Sequence, residues 1–299
     1  MNVYCRNIMA LLVTILSING LQAGGVAEAS GSWPNEPSGA TTIVDCPFSG
    51  SLCPGIWDVY NSATYATDAS APLSPGSVLD SFMATNSMTG SGQWGVNLPD
   101  VKEVYVGTWW STNTDFEGYS NNTNKMLFAR RPEMDNNFLV WQGLPGQPKT
   151  IKWYMQATYD NCGFPGTFGM CYSRGDGTGW FEPNTGANAT VTAGSGWHRL
   201  EFYLKTSTTK TSRDGIVRWW LDGAMVGNYP AVNLSPGGLQ EFQINQAWDG
   251  SGSCAWRDSR KSWHHFWDHL HISTGQGTPS ADQPAGPPAA PRIAGVTVH

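Results

Sequence analysis

A two-residue rhythm constrains this chain more than any other feature. "EVYVGTWW" (103–110) sets Val104, Val106, Thr108 and Trp110 against Glu103, Tyr105, Gly107 and Trp109. "TIKWYMQATY" (150–159) sets Ile151, Trp153 and Met155 against Lys152, Tyr154 and Gln156. "WHRLEFYLKT" (197–206) sets Leu200, Phe202 and Leu204 against Arg199, Glu201, Tyr203 and Lys205. "DGIVRWWLDG" (214–223) brackets another such run with two Asp-Gly pairs, which are hairpin-turn signals. Strands alternate their faces, so Val217, Trp219 and Leu221 point one way and Ile216, Arg218 and Trp220 the other. "KMLFARR" (125–131), "NFLVWQG" (137–143), "EFQINQ" (241–246) and "FWDHLHIS" (266–273) extend the series. No stretch of useful length combines a 3.6-residue period with helix caps. The chain is therefore all-β, a sandwich or barrel. Strands with one apolar and one polar-aromatic face suit sheets packed inward on one side and open to water or ligand on the other.

Composition agrees. Charged residues make up only 13%, against about 25% in an ordinary domain. The net charge of −6 argues against a nucleic-acid partner. Residues 1–29 read as a secretory signal peptide: Arg6 precedes a short apolar run from Ile8 to Ile18, followed by small-residue cleavage candidates. The run is too short for a membrane span. The expected product is secreted, extracellular, free of the membrane and monomeric. Residues 30–273 form one domain. Within it, 30–100 are rich in Ser, Gly, Pro and Asn and read as long loops with one or two edge strands. Residues 274–299 read as a Pro/Ala/Gly-rich linker. Export permits disulfides. Close spacing favours Cys46–Cys53 and Cys162–Cys171 and leaves Cys254 over, although sequence does not fix the connectivity. Zinc is the poorer reading, because no C-x-x-C pair occurs.

"NEPSG" (35–39), "APLSPGSVLD" (71–80), "VYVGTWWSTNTDFEG" (104–118), "NKMLF" (124–128), "GSGWHRLEFYLKTST" (194–208), "DGIVRWWLDG" and "WDHLHIS" (267–273) occur in this order. Together they resemble the concanavalin A-like lectin/glucanase superfamily, in particular its secreted branch of heparinase- and glucuronan-lyase-type polysaccharide lyases. The resemblance covers roughly residues 35–273. It implies a jelly-roll sandwich of two antiparallel sheets, with a polysaccharide groove on the concave one.

On that implication the groove candidates are Lys152, Tyr154, Gln156, Arg199, Glu201, Tyr203, Lys205, Arg218, Trp220, Gln243 and Asn245, with Trp109 as a further stacking residue. Such a set suits an acidic glycan. Rings stack on sugar faces, amides bond hydroxyls and arginine grips carboxylates. A lyase acting by β-elimination must neutralise the uronate carboxylate, remove the C5 proton and protonate the leaving oxygen. Arg199, Arg218, Gln243 and Asn245 suit the first task. Tyr203 or Tyr154 suits the others, if Lys152 or Lys205 lowers the phenol pKa. The competing readings are a lectin-like module without catalysis and a structural extracellular domain whose polar face only meets water. Two departures stand out. Alginate-lyase-type relatives carry Gln-x-His, where this chain has Gln243-Ile244-Asn245. The E-x-D-x-x-E strand of the superfamily's retaining glucanases is missing, which argues against glycosidase chemistry.

His265, His269 and His271 would share one face of a regular strand, a metal-like arrangement, although a polar outer face including His264 is the favoured reading. Asp268 falls in phase with Phe266, Leu270 and Ile272 and is expected to point inward. There it would hold a structural Ca²⁺ or be bonded by backbone amides. Asn121, Asn188 and Asn233 open N-x-[ST] strings, which matter only in a eukaryotic secretory pathway.

Overall fold

The structure, a computed structural model, describes residues 33–60, 62–83, 92–114, 123–130, 137–144, 147–156, 180–181, 183–209, 211–232, 234, 236–247 and 263–275. The leader, almost all of the C-terminal tail, Cys162, Cys171, Cys254, Asn121 and Asn233 lie outside these residues.

The described chain is built of strands. The first five are β1 (Thr41–Cys46), β2 (Ile56–Asp58), β3 (Thr64–Ala66), β4 (Val78–Met83) and β5 (Gln93–Val101). Then come β6 (Glu103–Thr112), β7 (Thr123–Arg130), β8 (Asn137–Leu144), β9 (Gln147–Gln156), β10 (Trp180–Phe181) and β11 (Thr190–Thr192). β12 (His198–Lys205), β13 (Gly215–Leu221), β14 (Ala224–Val232), β15 (Leu239–Ala247) and β16 (Trp263–Thr274) complete the set. They form two antiparallel sheets, a jelly-roll sandwich as expected. The first runs β14-β13-β12-β6-β16-β4-β3, with β1 also paired to β16. The second runs β10-β9-β8-β7-β15-β5-β2, with β11 also paired to β9.

The alternating runs explain the core. Val104, Val106, Trp110, Leu200, Phe202, Leu204, Val217, Trp219 and Leu221 face inward from the first sheet. Trp94, Val96, Ile151, Trp153, Met155, Phe242 and Ile244 meet them from the second. Trp110 and Trp153 touch edge to face across the gap, with centroids 4.8 Å apart. Gly227 is required where it stands, because a Cβ there would collide with the Trp219 ring.

Residues 30–100 depart from expectation. They hold five strands, and neither β4 nor β5 is an edge: β4 lies between β16 and β3, and β5 between β15 and β2. Thr274, assigned above to the tail, still belongs to β16 and pairs with Thr41. Cys46 and Cys53 are disulfide-bonded as favoured. The bridge sits at the corner where the chain leaves the first sheet and enters the second.

Candidate functional site

The expected groove residues are divided between the two sheets. Trp109, Arg199, Glu201, Tyr203, Lys205, Arg218 and Trp220 lie on β6, β12 and β13 of the first sheet. Lys152, Tyr154 and Gln156 lie on β9, and Gln243 and Asn245 on β15, of the second. Trp109, Arg199, Glu201, Tyr203, Arg218 and Trp220 on the one sheet, and Lys152, Gln243 and Asn245 on the other, alternate with core residues, so the two groups belong to opposite sides of the sandwich. Identical strand rhythms cannot reveal this, because rhythm reports the face of a strand and not its sheet.

The first group is packed shut. Trp33, Tyr105, Tyr203, Ile216 and Trp220 form a second small core, with Leu73, Trp109 and Met225 against it. A strap at residues 33–36 lies over this face, and Gly107 makes room for the Trp33 ring, which a Cβ would strike. Glu201, 1% exposed, anchors the strap. It accepts from the Asn35 backbone N–H at 3.2 Å and from Asn35 Nδ2 at 3.1 Å. It also accepts from Tyr105 Oη at 2.5 Å and from Arg199 Nε at 2.8 Å. Burial, then the charge of Glu201, pushes the Tyr105 phenol well up. Arg199 also lies 5.8 Å from the Trp109 ring. Tyr203, fully buried, donates to Glu103. Arg218 donates to Asn228 Oδ1 at 2.9 Å, and burial lowers its pKa. Lys205 is half-buried at the end of β12. Glu201, Tyr203 and Arg218 are thus each bonded to protein groups, and the strap covers Glu201.

β16 contains a bulge that sequence periodicity misses. His269 has φ 66°, and the register shifts between Asp268 and Leu270. Trp267 therefore faces the core on one side of the bulge, and Leu270 and Ile272 on the other. Asp268 points to the outer side, not inward as the unbroken phase implies. It is still fully buried, because the 71–74 loop covers it. Its Oδ2 accepts the N–H groups of Leu73 at 2.6 Å and Ser74 at 3.1 Å. Asp268 is thus bonded by backbone amides.

Burial raises the pKa of Asp268, against the two amide bonds that lower it. Its ionisation therefore costs stability as pH rises through the raised folded value. Asp268→Asn keeps an acceptor for both N–H groups and removes that cost. Its melting temperature is expected to exceed the parent's at neutral pH, with the gap closing in acid.

The bulge also separates the histidines. His265 is buried and accepts from Trp110 Nε1 at 3.0 Å, and burial depresses its pKa to about 3. His264 meets Asp80 at 2.9 Å. His269 and His271 share Asp45, at 2.7 and 3.0 Å, and His271 also meets Glu36 of the strap at 2.8 Å. Burial would lower His271, but the bonds to Asp45 and Glu36 outweigh it and raise the pKa. Burial would raise Asp45, but the same imidazoles hold it below the carboxylate range. The His271 contribution is complete below the ordinary imidazole value and is lost as pH rises through the folded one. That of Asp45 is present above the ordinary carboxyl value and is lost in strong acid. Thermal stability is expected to peak in mildly acidic solution, and His271→Phe to flatten the alkaline limb of the Tm–pH curve.

Ser195, His198 and Asp222 form a further polar chain. Ser195 Oγ lies 2.7 Å from His198 Nε2, and His198 Nδ1 lies 2.8 Å from Asp222 Oδ2. The connectivity is that of a nucleophilic triad. However, Ser195 Oγ donates its hydrogen to the Thr192 carbonyl at 2.5 Å. The chain fastens the turn before β12.

The outer face of the second sheet has a different character. On β15, Gln243 is 2% exposed while Asn245 and Glu241 are half-buried. Asn245 Nδ2 donates to Gln243 Oε1 at 3.0 Å, which fixes the two amides as a pair. Gln243 pairs with Phe128 on one side and Gly95 on the other. The Arg130 guanidinium lies 4.6 Å from the Phe128 ring. Gly95 is required, because a Cβ would strike the half-buried Trp57 ring lying over it. Lys152, half-buried on β9, alternates with core residues Ile151 and Trp153. Tyr154 and Gln156 follow on the same strand. The register aligns Tyr154 with Val140, Val140 with Lys125 and Lys125 with Ala247, a row that ends two residues from Asn245. Three strand spacings make this row about 14 Å long. This face thus combines an oriented amide pair, aromatic rings and cations. Trp57, Phe128 and Arg130 are not among the sequence candidates. Trp57 occupies a strand of three residues, too short for a rhythm to show.

No protein family model matches this sequence, and no curated protein does. Solved structures match by shape. The alginate lyase Aly36B superposes with a TM-score of 0.53 at 14% identity, covering 77% of this chain and 95% of that one. A variant of that enzyme in complex with an alginate trisaccharide matches with the same score and identity, over 79% and 98%. The endo-β-1,4-glucuronan lyase of the fungus Trichoderma reesei matches with a TM-score of 0.50 at 16% identity, over 81% and 100%. The fold is thus the concanavalin A-like jelly roll of these lyases. At such identities the likeness concerns the fold and not the activity.

Proposed function

We propose that this protein is an exported polysaccharide lyase that binds an acidic glycan across the outer face of the second sheet. The observation that carries the reading is the Gln243–Asn245 pair. A nearly buried amide, oriented by its neighbour on a central strand, is preorganised to bond a carboxylate or hydroxyl. Trp57, half-buried, flanks it over Gly95 and offers a surface for a sugar ring. The names of the structural neighbours support an acidic glycan as substrate. The disulfide supports an oxidising compartment.

In the reaction, a uronate ring lies over β7 and β8, between β15 and β9. Gln243 and Asn245 bond its carboxylate and favour the charge that develops when C5 loses its proton. Tyr154 receives that proton, with Lys152 favouring the phenolate. The C5–H electron pair forms the C4=C5 double bond. The C4–O pair leaves with the glycosidic oxygen, which takes up the proton from Tyr154 or from water. Tyr203, Arg199 and Lys205 have no part in this scheme, since they belong to the other sheet.

The test is the ultraviolet absorbance of the unsaturated uronate, with purified protein and a panel of polyuronates that includes alginate and polyglucuronate. A steady rise that Tyr154→Phe abolishes is the expected result. A flat trace with folded protein that is nevertheless retarded by a polyuronate in affinity electrophoresis replaces the lyase with a binding module.

A further inference from the structure

Val59, Tyr60 and Phe82 are the exposed large hydrophobic residues among the described ones, and two of the three are adjacent. Val59 and Tyr60 follow β2 directly, next to the candidate face. Their turn is held by one side chain. Asp58 accepts the backbone N–H groups of Tyr60 at 3.1 Å, Ser62 at 2.7 Å and Ala63 at 2.8 Å. The Val59 N–H is tied to the Gln93 carbonyl at 3.2 Å. Tyr60 is thus 68% exposed on a turn that its neighbours fix. An exposed ring contributes little to folding, whereas a ring held in place before binding loses little entropy on contact.

The register places this turn. Gln93 pairs with Asn245, and Gln93 also binds Val59. Val59 therefore lies two strand spacings, about 10 Å, from Asn245 along a line across the strands, and Tyr60 follows it. Trp57, two residues before Val59, covers Gly95 beside Gln243 on the same line of strands. Amides, a half-buried indole and an exposed phenol succeed one another toward the sheet edge.

We propose that Val59 and Tyr60 form an outlying sugar-stacking subsite, which takes a ring of a long acidic polysaccharide remote from the amide pair. This inference rests on the proposed glycan-binding role of that face. It implies that oligosaccharides long enough to span from Asn245 to Tyr60 bind more tightly than short ones, and that Tyr60 supplies the difference.

The experiment measures binding of alginate and polyglucuronate oligosaccharides, as short and long fractions, to the full chain by calorimetry. The parent is compared with Tyr60→Ala, Tyr60→Phe and Asp58→Ala. Tyr60→Ala should weaken the long fraction roughly tenfold and leave the short one unchanged. Tyr60→Phe should retain parental affinity, because the ring and not the hydroxyl stacks. Asp58→Ala should lose part of the advantage by freeing the turn. Equal affinity of parent and Tyr60→Ala for the long fraction overturns the subsite and leaves the groove standing. Failure of the folded parent to bind either fraction overturns both.

Discussion

Glu201→Ala melts roughly 10 °C or more below the parent, the largest stability loss expected of any single substitution described above. Glu201 sits at the meeting point of the strap, β6 and β12, almost without water. Its carboxylate answers four donor groups: the Asn35 backbone, the Asn35 amide, Tyr105 and Arg199. Truncation leaves those donors in a buried layer, with the Arg199 charge uncompensated. Breaking a buried pair by removing one partner costs about 3–5 kcal/mol. A domain of this size loses roughly 2–4 °C per kcal/mol. Thermal melts followed by circular dichroism give the answer. Lys205→Ala, half-buried at the end of the same strand, is the control and should shift the midpoint little. Had Glu201 been a groove residue, its loss would cost binding and spare stability. A parental Tm in Glu201→Ala removes the strap anchor from this account.

Gln243→Ala lowers the kcat of polyuronate cleavage by roughly two to three orders of magnitude, the largest expected effect on activity. Removal of one preorganised donor from a developing oxyanion has about this consequence in other enzymes. The charge on the uronate grows as C5 loses its proton, so the amide acts mainly in the transition state. KM should then change less than kcat, a split that separates this role from simple substrate binding. Gln243→Glu is a sharper probe, because it places a carboxylate against the substrate's own and should depress both binding and rate. Initial rates of unsaturated-uronate formation on the identified polyuronate supply the numbers. A Gln243→Ala enzyme with parental kcat moves carboxylate neutralisation to another residue.

Much of the fold is legible in the residues alone. Period-two runs assign the faces of β6, β9, β12 and β13 correctly, since burying Phe202 or Trp219 forces Tyr203 or Trp220 to the other side. What they cannot convey is which strand lies beside which. Arg199 and Gln243 each alternate with core residues, yet one belongs to β12 and the other to β15, on opposite sides of the sandwich. Pairing is a long-range property, and the strap that closes over Arg199 comes from more than 160 residues earlier in the sequence. The β16 bulge is hidden for a different reason. His269 adopts a left-handed conformation that glycine would advertise and histidine does not. One such residue turns Asp268 outward. β5 carries the same alternation, Trp94, Val96 and Leu98 against Gly95, Asn97 and Pro99, but a glycine, an asparagine and a proline are poor strand formers and mask it, and its neighbours β15 and β2 hold it in the sheet.

The strap over the first sheet has a consequence for how such a protein can change over time. The outer side of β6, β12 and β13 is committed to packing beneath the strap, so a substitution at Tyr203, Trp220 or Glu201 is tried against stability before any question of substrate arises. The second sheet keeps one face whose half-buried residues, Lys152, Arg130 and Asn245 among them, can be exchanged without opening the core. On the proposed reading, drift in ligand preference is channelled to that side of the molecule, while the other acts as ballast. A lineage built this way can diverge far in sequence before its architecture alters.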